Sequence, residues 1–216
     1  MTHCFPRRSF LKGSAAAAAA LTSPLLPADA ASSETENGLF SPVSTLCQTQ
    51  YGPVKGREGE NGQLCWYGIP YGAAPTGESR WTAPQEPACW HTVRDCTSPA
   101  PAAYQYTTFP LGTEDCLTLD IYSSAEAKKR PVLVYLHGSA ATGSSLELPG
   151  SELVRDAGCV FVALNYRLGL FGWNCLPALT ADPDATGNFA LLDIARALDW
   201  VRDNIRRFGG DADNIT

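Results

Sequence analysis

Two short apolar runs restrict this chain more than anything else in it: Pro131–Leu136 and Cys159–Leu164. A strand with one face in water alternates apolar and polar side chains, whereas a strand that is apolar at every position must be covered on both faces. Both runs therefore predict strands inside a layered fold. Between them lie a Gly/Ser loop and a candidate helix at 151–157. Farther on, Leu191, Ile194, Leu198, Val201 and Ile205 recur at steps of three and four, which is one face of a helix over 189–207 that Gly209 and Gly210 stop. Buried strands alternating with helices imply right-handed crossovers and a mostly parallel sheet, an α/β fold. Upstream, Cys116–Tyr122 alternates and predicts a half-buried strand. Thr49–Arg57 and Cys65–Tyr71 read as extended pieces with a hairpin turn across Gly56–Gly62. The segment from Gly72 to Pro110, dense in Pro, Gly, Ala and aromatic residues, reads as irregular chain held by packed rings.

The first thirty residues stand outside that fold. Arg7 and Arg8 precede Phe10, Leu11 and Lys12, a weakly apolar stretch containing Ala15–Ala20 follows, and Ala28-Asp29-Ala30 offers a small-residue cleavage site. Basic, apolar and small-residue regions in that order form a secretory signal, and the paired arginines direct it to the Tat route. Residues 1–30 are thus expected to be a twin-arginine signal peptide, 31–48 a polar tether and 49–216 the folded part. The destination is the periplasm or the exterior, with the Tat export machinery as partner. A Tat substrate crosses already folded, so any disulfide must suit a fold reached in a reducing cytoplasm.

The net charge of −6 removes the positive field that nucleic acid or an anionic bilayer would attract, so neither is an expected partner once the signal is gone. Apolar residues at 44% suffice for a packed core. Of the eight cysteines none are at C-x-x-C spacing, so no zinc or dithiol redox site is suggested, and Cys159 reads as a buried thiol. Asp182, Asp184, Thr186, Gly187 and Asp193 echo a calcium-loop spacing, but Pro183 interrupts it and position twelve is Asp rather than Glu. No metal and no cofactor is expected.

Six blocks, in one order, carry a family resemblance: Tyr51-Gly52-Pro53-Val54 with Gly56; Trp66, Gly68-Ile69-Pro70-Tyr71 with Arg80-Trp81 and Pro84; Glu114-Asp115-Cys116-Leu117; Leu136-His137-Gly138; Asn165-Tyr166-Arg167-Leu168-Gly169; and Gly187-Asn188 through Asp193 to Phe208-Gly209-Gly210-Asp211 and Asn214-Ile215-Thr216. The chain resembles the carboxylesterase type-B family of α/β-hydrolases, which includes para-nitrobenzyl esterases and cholinesterases, over residues 49–216. The resemblance implies a serine esterase acting on small carboxylic esters through a Ser, Glu/Asp and His triad, with the serine in a G-x-S-x-G elbow. No G-x-S-x-G occurs in these residues. In the family it follows the block matched by Asn214–Thr216. The expected structure is an α/β-hydrolase fold truncated before the nucleophile elbow: the N-terminal antiparallel strands plus the first strands of the mostly parallel central sheet. The strand leading to the elbow would be missing, and the chain would be inactive alone. A non-catalytic binding or adhesion-type homologue, or a truncated gene product, is the alternative.

What the resemblance leaves of the site is an oxyanion loop. The family pattern His-Gly-Gly-Gly/Ala is here His137-Gly138-Ser139-Ala140, with the following Gly143-Ser144 one residue early and Ser in place of the second glycine. The backbone groups of Gly138, Ser139 and Ala140 are the candidate donors, and His137 borders the loop rather than acting as base. The resemblance also implies ion pairs Arg80–Glu114 and Arg167–Asp193 that brace the fold, and makes Cys96 and Cys116 candidates for a disulfide.

Overall fold

Val160–Leu164 is buried at every position and lies inside the main sheet. In a computed structural model, the described residues are 42–216 except 60, 61, 149, 175, 177, 178 and 180–186. The signal peptide, most of the tether and the calcium-like residues Asp182, Asp184 and Thr186 lie outside them.

In chain order the strands are β1 (Leu46–Gln48), β2 (Pro53–Lys55), β3 (Arg57–Glu58), β4 (Gln63–Pro70), β5 (Arg94–Asp95), β6 (Gln105–Tyr106), β7 (Pro110–Leu111), β8 (Thr118–Ser124), β9 (Arg130–Leu136), β10 (Val160–Leu164) and β11 (Gly210–Ile215). The helices are α1 (Gly150–Ala157), α2 (Gly169–Gly172) and α3 (Phe189–Asn204), the last continued by a 3-10 turn at Ile205–Phe208. The main sheet runs β11-β9-β10-β8-β4-β3, with β1-β2-β5 as a small second sheet and β6-β7 as a hairpin. β9 is parallel to both β10 and β11, while β8 is antiparallel to β10 and β4. The sheet thus combines an antiparallel N-terminal portion with the first parallel strands.

The uniform apolarity of β10 has the expected cause. Val160, Val162 and Leu164 belong to one core cluster, and Phe161 and Ala163 to another, so alternate side chains feed the two faces. On the second face α1 packs through Val154, with Gly150 at its first position. A Cβ there would come within 2.5 Å of the Tyr122 ring, so glycine permits the close approach.

Several expectations are corrected. Leu46–Gln48, read as the end of the tether, is a strand paired with Pro53–Lys55. β9 is not covered on both faces: Val132 is buried, Leu133, Val134 and Tyr135 are half-buried and Leu136 is exposed. The stretch after Gly209, left outside the sheet by the sequence reading, pairs with β9, and Val132 and Val134 bond Thr216 in continuation. The helix at 189–204 is also rolled relative to its apolar stripe. Leu191 and Leu198 are exposed, and the buried face is Ala190, Asp193, Ala197, Trp200, Val201 and Asn204. Two alanines let the helix approach, and the Asp193 and Asn204 side chains find partners inside, so these contacts outweigh the burial of two leucines. Among the described residues no helix is long and apolar enough to cross a membrane.

Candidate functional site

In α/β sheets the crevice beyond the C-terminal ends of parallel strands is where ligands bind. β9 ends there, and His137 begins the loop. Its ring is 3% exposed and stacks on Tyr166, with centroids 4.2 Å apart and planes 7° from parallel. The Tyr166 hydroxyl donates to the His137 carbonyl oxygen. Burial pulls the imidazole below its usual 6.5, with weaker opposing effects from the Gly138 carbonyl and Glu147. A neutral, enclosed ring whose Nε2 has no partner among the described residues is a wall, not a base.

Gly138, Ser139 and Ala140 are exposed. Ser139 has φ 70°, the left-handed region that a side chain disfavours by roughly 1–2 kcal/mol. The substituted glycine position therefore keeps a glycine-like backbone. The serine hydroxyl offsets part of the cost by accepting from the amides of Ala141 (3.2 Å) and Thr142 (3.3 Å). The Ala140 carbonyl accepts from Gly169 N–H at 2.7 Å, which ties the loop to the start of α2. Among the described residues nothing accepts from the N–H groups of Gly138, Ser139 or Ala140. Such amides can solvate a developing negative charge.

The far end of the loop is fixed by buried polar side chains. Gly143 lies against the His137 ring, where a Cβ would clash with Nδ1. Gln105 bonds both polar groups of the Gly143 backbone. Ser145 Oγ donates to Asp120 at 2.7 Å, while Asn165 accepts from Ser145 N–H and donates to its hydroxyl. Asp120 also accepts from Gly68 N–H at 2.8 Å; burial pushes its carboxyl up, and these two bonds pull it back. Ser145 touches a carboxylate but is 2% exposed, so it cannot meet a substrate as a nucleophile.

The wall beside the loop carries both expected pairs of charges. Arg80 Nε lies 2.5 Å and Nη2 2.9 Å from the Glu114 carboxylate, and the guanidinium sits over the rings of Trp81 and Phe171. Arg167 holds Asp193 through Nη2 (2.7 Å), Nε (2.9 Å) and its own N–H (3.1 Å), and donates through Nη1 to the carbonyls of Arg80 and Thr82. Burial raises the Asp193 carboxyl while Arg167 pulls it down. A narrow apolar cleft lined by Pro75, Tyr104, Leu168 and Phe171 opens between the two pairs.

Cys96 and Cys116 are not bridged; both are free, buried thiols. The Cys96 carbonyl accepts from Tyr67 N–H, whereas Leu117, next to Cys116, accepts from Tyr71. Cys89 is disulfide-bonded. Sequence reasoning also missed Gln105, which lies in the irregular segment without a motif, and gave no role to Asp120, Ser145, Asn165 or Tyr166.

Comparison with known proteins accounts for this arrangement. Residues 43–216 match the carboxylesterase family, and residues 5–24 match the signal sequence of the twin-arginine translocation pathway, which marks the chain for export from the cytoplasm by that machinery. The chain is 42% identical over 183 residues to the para-nitrobenzyl esterase of Bacillus subtilis (strain 168), covering 79% of this chain and 37% of that one. It is 37% identical over 181 residues to the fumonisin B1 esterase of Sphingopyxis macrogoltabida, covering 78% and 33%. The Geobacillus stearothermophilus carboxylesterase EST55 superposes with a TM-score of 0.73 at 40% identity, covering 79% of this chain and 36% of that structure. The chain therefore spans about a third of the length of these relatives. From strand order to loop it has the α/β-hydrolase fold, and it belongs to the carboxylesterase family.

Proposed function

We propose that this chain supplies the oxyanion-binding loop and the first sheet strands of an exported carboxylesterase that hydrolyses small carboxylic esters. In that reaction a serine oxygen attacks the ester carbonyl, its proton passes to a histidine, and the carbonyl oxygen becomes an anion. The alcohol leaves with a proton, and water then releases the acid from the acyl-serine. The 216 residues hold no G-x-S-x-G, so on this reading they do not themselves supply the attacking serine. Their contribution is the N–H groups of Ser139 and Ala140, aimed at the oxyanion. One such donor is worth roughly 2.7–4 kcal/mol in kcat. The observation that carries this reading is three adjacent amides without acceptors at the C-terminal end of β9, in a chain 42% identical to an esterase.

The same reading assigns residues 1–30 to a cleaved leader, the polar residues between the leader and β1 to a tether, and the chain from β1 to Thr216 to the N-terminal part of the catalytic domain. With a net charge of −6, it leaves nucleic acid and, after signal removal, the membrane out of the partner set.

The test is a chimera in which residues 43–216 replace the matching segment of the B. subtilis para-nitrobenzyl esterase. It should hydrolyse p-nitrophenyl acetate. Replacing the amide that links Ser139 to Ala140 by an ester, which removes only the Ala140 N–H, should lower kcat by about 10²–10³ and leave KM nearly unchanged. An active chimera indifferent to that replacement would remove the oxyanion role. The 216-residue chain alone should take no label from a fluorophosphonate probe.

A further inference from the structure

We infer that Gln105 is a positioning residue for the loop at 137–144, a role that rests on reading this loop as an oxyanion site. Its carboxamide grips one residue from both sides: Oε1 accepts from Gly143 N–H at 3.0 Å and Nε2 donates to the Gly143 carbonyl at 2.9 Å. A third bond, Nε2 to the Ala103 carbonyl at 3.1 Å, fixes the amide to the base of its own hairpin. Gln105 is 7% exposed, so little water competes for these bonds.

Geometry explains why a clamp is needed here. The loop is held at the His137 carbonyl by the Tyr166 hydroxyl, at the Ala140 carbonyl by the Gly169 amide, at Ser144 by Glu147 and, just past it, at the buried Ser145 by Asp120 and Asn165. Between Ala140 and Ser145, Gly143 has φ +136° and is pressed on the His137 ring, and Gln105 supplies the contact that orients its peptide groups. Ser139 sits in the left-handed region without a glycine's freedom, so the loop has reason to relax if its far end is released. The clamp comes from the β6–β7 hairpin, whose Tyr106, Phe109 and Leu111 are exposed. Gln105 thus joins that apolar hairpin to the amides that face the reacting oxygen.

The test is amide NMR on the 216-residue chain. Gln105→Leu keeps the side chain's bulk and removes all three bonds. Exchange of the Gly143 amide should rise at least tenfold and the Ser139 and Ala140 resonances should shift, while Val132 and Leu164, in the sheet, stay as they were. Gln105→Glu adds a pH readout that a merely space-filling role would not give. In acid the introduced carboxyl can accept from the Gly143 N–H and donate its one proton to the Gly143 carbonyl, so the Ser139 and Ala140 resonances should lie close to their native positions although the Ala103 bond is lost; once ionised it faces the Gly143 carbonyl without a proton and should reproduce the leucine variant. Unmoved Ser139 and Ala140 resonances in Gln105→Leu, or no pH response in Gln105→Glu, would overturn the inference. Neither readout needs turnover. A chimera without esterase activity would sink the functional reading alone, and an unresponsive loop would sink the clamp alone.

Discussion

Neutralising Asp193 should be the most damaging conservative change in the described fold. Asp193→Asn keeps the shape and removes the charge, leaving the Arg167 guanidinium, 3% exposed, without its counter-ion. Removing one member of a buried pair costs about 3–5 kcal/mol, because the surviving charge is left without water or a counter-ion. With a urea slope of about 2 kcal/mol per molar, the unfolding midpoint should fall by about 2 M. The double change Arg167→Met with Asp193→Leu should recover roughly half of that loss. It removes the uncompensated charge, yet still leaves the Arg80 and Thr82 carbonyls without the Nη1 donor, at about 1 kcal/mol each. Fluorescence of the fully buried Trp66 and Trp200 reports the transition. A single variant costing under about 1 kcal/mol, or a double variant no more stable than the single, would refute the assignment of that energy to an unpaired charge.

The loop and the thiols allow further tests. Ser139→Ala should destabilise by about 1 kcal/mol, since it keeps the strained φ and loses the hydroxyl's two acceptor bonds, whereas Ser139→Gly should be close to neutral because relief of strain offsets both that loss and added freedom in the unfolded chain; urea titration of the two variants reads the contrast. His137 has a folded pKa below 6.5, so the unfolded chain binds the extra proton first on acidification. Its contribution is complete above 6.5 and declines as pH falls from there through the folded value, and His137→Phe should flatten the melting-temperature profile in that window. Burial lifts the Cys96 thiol to about 12 and the Cys116 thiol higher still. Alkylation at about pH 8 followed by peptide mapping should leave both unmodified in the native chain and label both after denaturation.

The amino-acid sequence alone determined the layered α/β class, a helix over 189–207 whose last turn the structure makes 3-10, the export signal and the family. Each is written in neighbouring residues: unbroken apolarity in Val160–Leu164, steps of three and four along the helix, paired arginines near the N-terminus, and short motif blocks in fixed order. Only the tertiary structure decided which face of that helix is buried, since Arg167 claims Asp193 from 26 residues away and turns Leu191 and Leu198 outward. It alone placed Gln105 on Gly143, 38 residues on, and left Cys96 and Cys116 unbridged. Periodicity is a local property and survives in the sequence; a hydrogen bond between distant segments depends on how every intervening element packs, and no spacing records it.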